Sequence, residues 1–411
     1  MPHIAVDLTP LRAGGFNGGV KRYALDLLRA FKQHAPHYQW TLLTAEETHN
    51  ELAYLDATNM RRLCVAHKAT LKQTSPSLKR RLANWSAAHL PISAFHTLKS
   101  VYRLACQTLP ALPPLPIQAD LLFCPFTGPA FHSPRAPLVC VIHDLQYLDH
   151  PYFFDSETRY YRDLHFRQAI RFSSHVISDS DFTRRLILKH SAIDSAQVIT
   201  IPICLFDQVT PPPFNDVESF LRRWSLARDH FLLYPANFWR HKNHEMLLTA
   251  LGMYMATHPR SELRVVCTGQ PDKRMLQIQE AASRMNLADR VVFTGFVSDQ
   301  ELNALYVSCR AVIFPSLYEG FGLPVLEAMA FGKPVICSSL TSLPEVTGEA
   351  ALFFDPRQPR EIVSAIYRVM NDQHLVSDLV ERGRKRLAEL GGAAQMAKDY
   401  LQVFESVMVK K

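Results

Sequence analysis

From residue 231 onward the chain repeats one unit: a short apolar run, a polar or glycine-bearing loop, then a stretch with apolar residues at helical spacing. The apolar runs are FLLYPA, LRVVCTG, RVVFTG, AVIFPS, PVICSS and ALFFDP. EMLLTALGMYMA, residues 272–286, ELNALYVSC and PVLEAMAFG supply the helical patterns between them. Runs that are apolar throughout, rather than on alternate residues, belong to strands buried on both faces. Strands of that kind alternating with helices make a parallel sheet covered on each side.

A less regular series precedes it. IAVDLTP leads through the loop RAGGFNGG into VKRYALDLLRAF, and WTLLT, LLFCP, LVCVIHD, HVISDS and VITIP follow. Between the series lie three consecutive prolines, 211–213, which interrupt the pattern and read as a linker. The 411 residues also exceed the ~250 to 300 that one core supports. The expected fold class is therefore α/β, with two doubly wound Rossmann-like domains. The first covers 1–205, the linker 206–228 and the second 229–392, and a helical tail at 393–411 packs back on the first.

Composition is that of an ordinary globular protein, 47% hydrophobic and 20% charged, with a formal charge of +7. The excess is local: 57–119 contains no acidic residue, while Arg61, Arg62, Lys68, Lys72, Lys79, Arg80, Arg81, Lys99 and Arg103 fall within it. Inside that segment FHTLKSVYRLA, 95–105, sets Phe95, Leu98, Val101 and Tyr102 opposite Lys99 and Arg103. This suits a helix lying on an anionic membrane surface or, equally, a core helix with a solvated face. No apolar stretch reaches the ~18 residues of a spanning helix, and the N-terminus lacks the pattern of a secretory signal, so a cytoplasmic protein is expected. Eight scattered cysteines without CxxC spacing read as buried thiols rather than a zinc site.

Ligands of open α/β sheets bind beyond the carboxyl ends of the strands, so the loops after each run carry the functional reading. After AVIFPS comes YEGFGLPVLEAMA. Gly320 and Gly322 allow a sharp turn and close approach of a ligand, Pro324 suits a helix start, and the free N–H groups there favour an anion such as phosphate. Glu319 precedes the turn and Glu327 is expected in the helix's first turn, where carboxylates accept hydrogen bonds from ribose or sugar hydroxyls. PANFWRHKNHEMLL brings Arg240, His241 and Lys242 to the same cleft, as a bidentate and a point cation for a diphosphate. In LVCVIHDLQYL, His143 and Asp144 end a buried strand, and the histidine suits substrate positioning, proton transfer or a structural hydrogen bond. GGFNGG offers Gly18 and Gly19, whose amides can face a phosphate or merely form a turn.

In this order, the four elements resemble the retaining glycosyltransferases of family 4, which have the GT-B fold. VISDSDFTRR, RVVFTGFVSDQELNALY and SSLPEVTGEAALFFDP extend the resemblance, which covers nearly the whole chain except about 50–118. The resemblance implies a nucleotide sugar in the second domain and a saccharide or lipid-linked glycan acceptor mainly in the first. By the same carry-over Glu327 holds ribose, and Glu319 the transferred sugar. The backbone of Gly320, Phe321, Gly322 and Leu323 meets sugar hydroxyls and phosphate. Lys242 binds the diphosphate, Phe296 and Val297 flank the base, Gly18 and Gly19 complete the phosphate cradle, and His143 sits beside the sugar ring. Many members carry an arginine where this chain has Asn237, which leaves Arg240 as the candidate second cation.

No DxD-like metal site is read and no cofactor is expected. The sugar expected is mannose or a related hexose from a GDP-sugar, in assembly of a bacterial surface polysaccharide such as O-antigen or lipopolysaccharide. Three other readings stay open: a GT-B-like sugar nucleotide epimerase, a phosphorylase and a non-catalytic sugar nucleotide-binding protein. A dinucleotide dehydrogenase is disfavoured because no GxGxxG follows the first strand, and no nucleic-acid partner is expected.

Overall fold

The computed structural model describes residues 1–13, 18–66, 109–205 and 213–408. Two parallel sheets organise it. The first contains β1 (His3–Asp7), β2 (Gln39–Ala45), β3 (Met60–Ala66), β4 (Leu121–Cys124), β5 (Leu138–Ile142), β6 (His175–Ser178) and β7 (Val198–Thr200), in the order β3-β2-β1-β4-β5-β6-β7. The second contains β8 (Phe231–Pro235), β9 (Arg264–Thr268), β10 (Val291–Gly295), β11 (Ala311–Phe314), β12 (Val335–Ser338) and β13 (Ala351–Phe354), in the order β10-β9-β8-β11-β12-β13.

The continuously apolar runs behave as their composition requires. β4, β5, β8, β11 and β12 are buried at every residue, whereas the edge strands β7, β10 and β13 are only partly covered. Seven cysteines are described, all free, and all but Cys64 are buried. Among the described residues no helix is long and apolar enough to cross a membrane.

Three features depart from or lie beyond the sequence reading. β3 was not anticipated, because Arg61 and Arg62 break its apolar run; it is an edge strand, and Arg62 donates to Asp56 at 2.8 Å. The supposed linker contains a helix, Phe214–Arg223, whose Val217, Phe220 and Leu221 are buried. That helix packs against Asp299–Ser308, and Arg223 pairs with Glu301, so it is a part of the second domain. The proposed surface helix at 95–105 lies outside the described residues.

After the second sheet the chain returns to the first. The helix Ala393–Met408 packs along Gly19–His34, where the Tyr23 and Tyr400 hydroxyls meet and the Tyr38 O–H donates to Glu405 at 2.7 Å.

Candidate active site

Each sheet reverses its strand order once, between β1 and β4 in the first and between β8 and β11 in the second. Loops beyond these points form the crevice in which such folds bind ligands. In the second domain the loops after β8 and β11 are tied together: Leu317 N–H donates to the His241 carbonyl at 2.7 Å. Asn243, in the left-handed region at φ 61°, donates through Nδ2 to the carbonyls of Pro315 (3.0 Å) and Pro356 (2.9 Å). The Tyr234 O–H donates to the Lys242 carbonyl at 2.5 Å.

This bracing directs Lys242 toward the β11 loop, with Nζ 2.6 Å from Oε1 of Glu319. Both residues are 9% exposed. Burying each charge alone would be costly, so the pair is mutually required. Glu319 takes one of the three ammonium N–H donors, and the Phe314 ring lies 5.0 Å from Nζ.

The helix Leu323–Ala330 begins from Gly322, whose φ of 105° is strained for any side chain. A Cβ there would also come 2.7 Å from Leu343 Cδ2. Pro324 is the second helical residue, where a missing N–H costs nothing. Glu327 is the fifth helical residue, one position beyond the first turn in which it was expected, and is 8% exposed. Its Oε2 accepts the Tyr306 O–H at 2.7 Å, and its Oε1 accepts an N–H of Arg22 at 2.8 Å. Burial, then the charge of Glu327, hold the Tyr306 hydroxyl well above its ordinary pKa, so it remains a donor.

Arg22 comes from the first domain, in the first turn of the Gly19–His34 helix. The glycines before it dock at the same place. A Cβ at Gly18 (φ 53°) would lie 3.5 Å from the Trp239 ring and 3.9 Å from Asn237 Nδ2; one at Gly19 would lie 3.6 Å from Leu323 Cδ1. Two helix N-termini, one from each domain, therefore meet beside the buried Lys242–Glu319 pair. Helix starts present free N–H groups and partial positive charge, which suits a diphosphate.

His143 is handled differently. Its Nδ1 lies 2.6 Å from Asp179 Oδ2 and its Nε2 2.9 Å from the Pro125 carbonyl. Both partners accept, so both ring nitrogens donate. Burial works against the imidazolium, but the charge and hydrogen bond of Asp179 outweigh it and raise the pKa. Both ring nitrogens are thus engaged by protein acceptors, and neither is left open toward the crevice. Its backbone carbonyl instead faces the glycine turn: a Cβ on Gly320 would come within 2.0 Å of it.

Further bonds join the domains here. Ser180 Oγ donates to the Gly320 carbonyl at 2.8 Å, and the Glu345 carboxylate accepts from the amides of Asp181 and Phe182 at 2.5 and 2.9 Å. The Leu145 amide donates to the Tyr318 hydroxyl at 3.3 Å. Phe321 is buried, with its carbonyl and that of Glu319 accepting from Ser342 Oγ.

The remaining candidates lie further out. Asn237 Oδ1 accepts from the Gln270 amide at 2.8 Å, which ties the β8 loop to the β9 loop. Gly269 N–H then donates to the Gly295 carbonyl, next to Phe296 and Val297. Phe296 is 66% exposed. Arg240 is exposed on its 3₁₀ turn, and the second cation beside the site's carboxylates is Arg22, which sequence reasoning missed. A cation in the first turn of a helix opposes the helix dipole, and that mismatch was the available signal that it serves an external anion.

Two doubly wound parallel-sheet domains, meeting through the loops at their switch points, define a GT-B fold. Residues 220–386 match the model of the family described as Glycosyl transferases group 1. It is 29% identical over 274 residues to O-antigen chain mannosyltransferase B of Escherichia coli, covering 66% of this chain and 69% of that one. It is also 29% identical over 255 residues to the serotype-specific mannosyltransferase WbdA of Escherichia coli, covering 59% of this chain but 30% of that longer protein. The chain thus spans under a third of WbdA. The fold is similar to that of Anabaena Alr3699/HepE in complex with UDP-glucose, with a TM-score of 0.72 at 15% identity over 99% of this chain and 100% of that one.

Proposed function

We propose that the protein is a retaining, metal-independent glycosyltransferase that moves a hexose from a nucleotide sugar to a glycan or lipid-linked saccharide in bacterial surface polysaccharide assembly. One observation carries this reading: a buried Lys242–Glu319 pair beside two converging helix N-termini.

Breaking the bond between an anomeric carbon and phosphate leaves an oxocarbenium-like sugar and a diphosphate of growing negative charge. Lys242 and the amides at Gly18–Gly19 and Leu323 face that charge as fixed donors, which lowers the barrier electrostatically. Glu319, already oriented by Lys242, accepts from hydroxyls of the transferred sugar, and Glu327 from the ribose. In retention the acceptor hydroxyl attacks from the face that the phosphate leaves, and its proton passes to the departing phosphate oxygen. No protein base is then required, in keeping with a His143 ring whose nitrogens are both engaged.

Mannose from GDP-mannose is the first donor to test, because relatives that match the chain over 274 and 255 residues are named mannosyltransferases. A lipid-linked acceptor would place the enzyme at the inner face of the cytoplasmic membrane, drawn there by the acid-free, basic sequence of 57–119; failure to cosediment with anionic vesicles at low salt would remove that part. The central test is a thermal-shift panel of GDP-, UDP- and ADP-sugars, followed by product analysis with a mannose-terminated oligosaccharide. A donor at ~100 times its dissociation constant stabilises by ~2.7 kcal/mol. The reading fails if no nucleotide sugar shifts the melting temperature. Conversion of donor to another sugar nucleotide without acceptor would establish an epimerase instead.

A further inference from the structure

The sequence motifs leave Arg22 without a role, and its position in the structure supplies one. It is separated from Glu327 by 305 positions, yet its Nη1 lies 2.8 Å from Oε1. Of its other acidic neighbours, Asp26 on its own helix is 3.7 Å away, and Asp299 also acts on its charge. Three residues before Arg22, Gly19 rests on Leu323; four residues after Leu323 comes Glu327. Residues three or four apart share one helix face, so these two contacts align the Gly19–His34 and Leu323–Ala330 helices along their first turns.

We propose that Arg22 is a positioning residue for the transfer reaction: by bridging the domains to Glu327, it sets the Gly18–Gly19 amides against the start of the Leu323–Ala330 helix. A carboxylate oxygen has two acceptor sites. Oε1 can therefore hold Arg22 and a ribose hydroxyl together, while Oε2 stays with Tyr306. Tyr306 holds the carboxylate's orientation through Oε2, and the guanidinium ties the first domain to it through Oε1. Its side chain is half exposed, so it reaches Glu327 without being part of either core. The kinetic part of this proposal rests on Glu327 as a donor-binding carboxylate; the bridge itself does not.

The test uses the full chain with Arg22→Met and Arg22→Lys. Small-angle scattering without nucleotide comes first: Arg22→Met is expected to have a larger radius of gyration than the wild type, and Arg22→Lys to fall between them. Next come GDP affinity by calorimetry and turnover of GDP-mannose with a mannose-terminated oligosaccharide. The expected result for Arg22→Met is a GDP dissociation constant within about threefold of wild type but kcat reduced at least tenfold, with part of the loss recovered by lysine. In a Glu327→Gln background, Arg22→Met should add little further loss.

Unchanged scattering overturns the bridge. Unchanged kcat overturns the positioning role, as does a kcat loss matched by an equal loss of GDP affinity, which would mean that Arg22 touches the nucleotide itself. If wild-type protein binds neither GDP nor GDP-mannose, the donor reading fails by itself, and scattering still decides the bridge.

Discussion

Each domain sets a buried basic side chain against a carboxylate beyond neighbouring strands at the same distance, 2.6 Å: Lys242 with Glu319 in the second domain and His143 with Asp179 in the first. They differ in what remains after pairing. An ammonium has three donors and Glu319 takes one, so Lys242 keeps capacity for a ligand; His143 has two donors, and Asp179 and Pro125 use both. On the proposed function, one pair serves as a tool with free ends and the other as a strut. Spare hydrogen-bond capacity is what distinguishes them, since burial and distance do not.

The largest effect on turnover is expected for Lys242→Ala. Removing one preorganised donor to a developing oxyanion costs roughly 10²–10³ in rate, measured as kcat on protein shown to be folded by circular dichroism. Rates within threefold of wild type would make this pair a strut as well. Gly320→Ala probes the seam between the two pairs. Its methyl would meet the His143 carbonyl at 2.0 Å, so one loop must move away. A drop in kcat of about tenfold, or about 1.4 kcal/mol of barrier, is expected, with GDP affinity nearly preserved; full activity would show that the seam tolerates separation.

His143→Asn should have the smallest effect on turnover, less than about tenfold, while lowering stability by about 3 kcal/mol because Asp179 is left buried without its cation. The pH dependence has a definite sign. A raised folded pKa means that the histidine's charge-linked stabilisation is full below its unfolded value near 6.5 and fades as pH rises through the folded one. Urea midpoints of wild type and variant should therefore converge as pH increases from about 6. A gap that widens would mean that the imidazole is neutral in the fold.

The same contrast explains what the sequence revealed. Strands buried on both faces declared themselves because every residue in them is apolar, as in LLFC and LVCVI. β3 did not, because as an edge strand it tolerates Arg61 and Arg62. The helix at Phe214–Arg223 was obscured by the prolines before it, although Pro213 is only its cap and Val217, Phe220 and Leu221 already had helical spacing. Within the site, Glu319 and Lys242 stood out from local motifs, since strand–loop–helix order fixes where a loop residue falls. Partners from the other domain did not, because nothing local in VKRYAL specifies Glu327, nor in SLPEVT the amides of Asp181 and Phe182.

The return of the last helix, Ala393–Met408, to the Gly19–His34 helix has a mechanical consequence. The chain leaves the first domain once, between β7 and β8, and re-enters it once, before Ala393, so the second domain hangs from two covalent threads rather than one. A body held at two points retains one easy rotation, about the line joining them, and resists twisting about any other axis. Two such threads would confine any opening of the crevice to one arc, and would return the glycine turn to His143 in a single register.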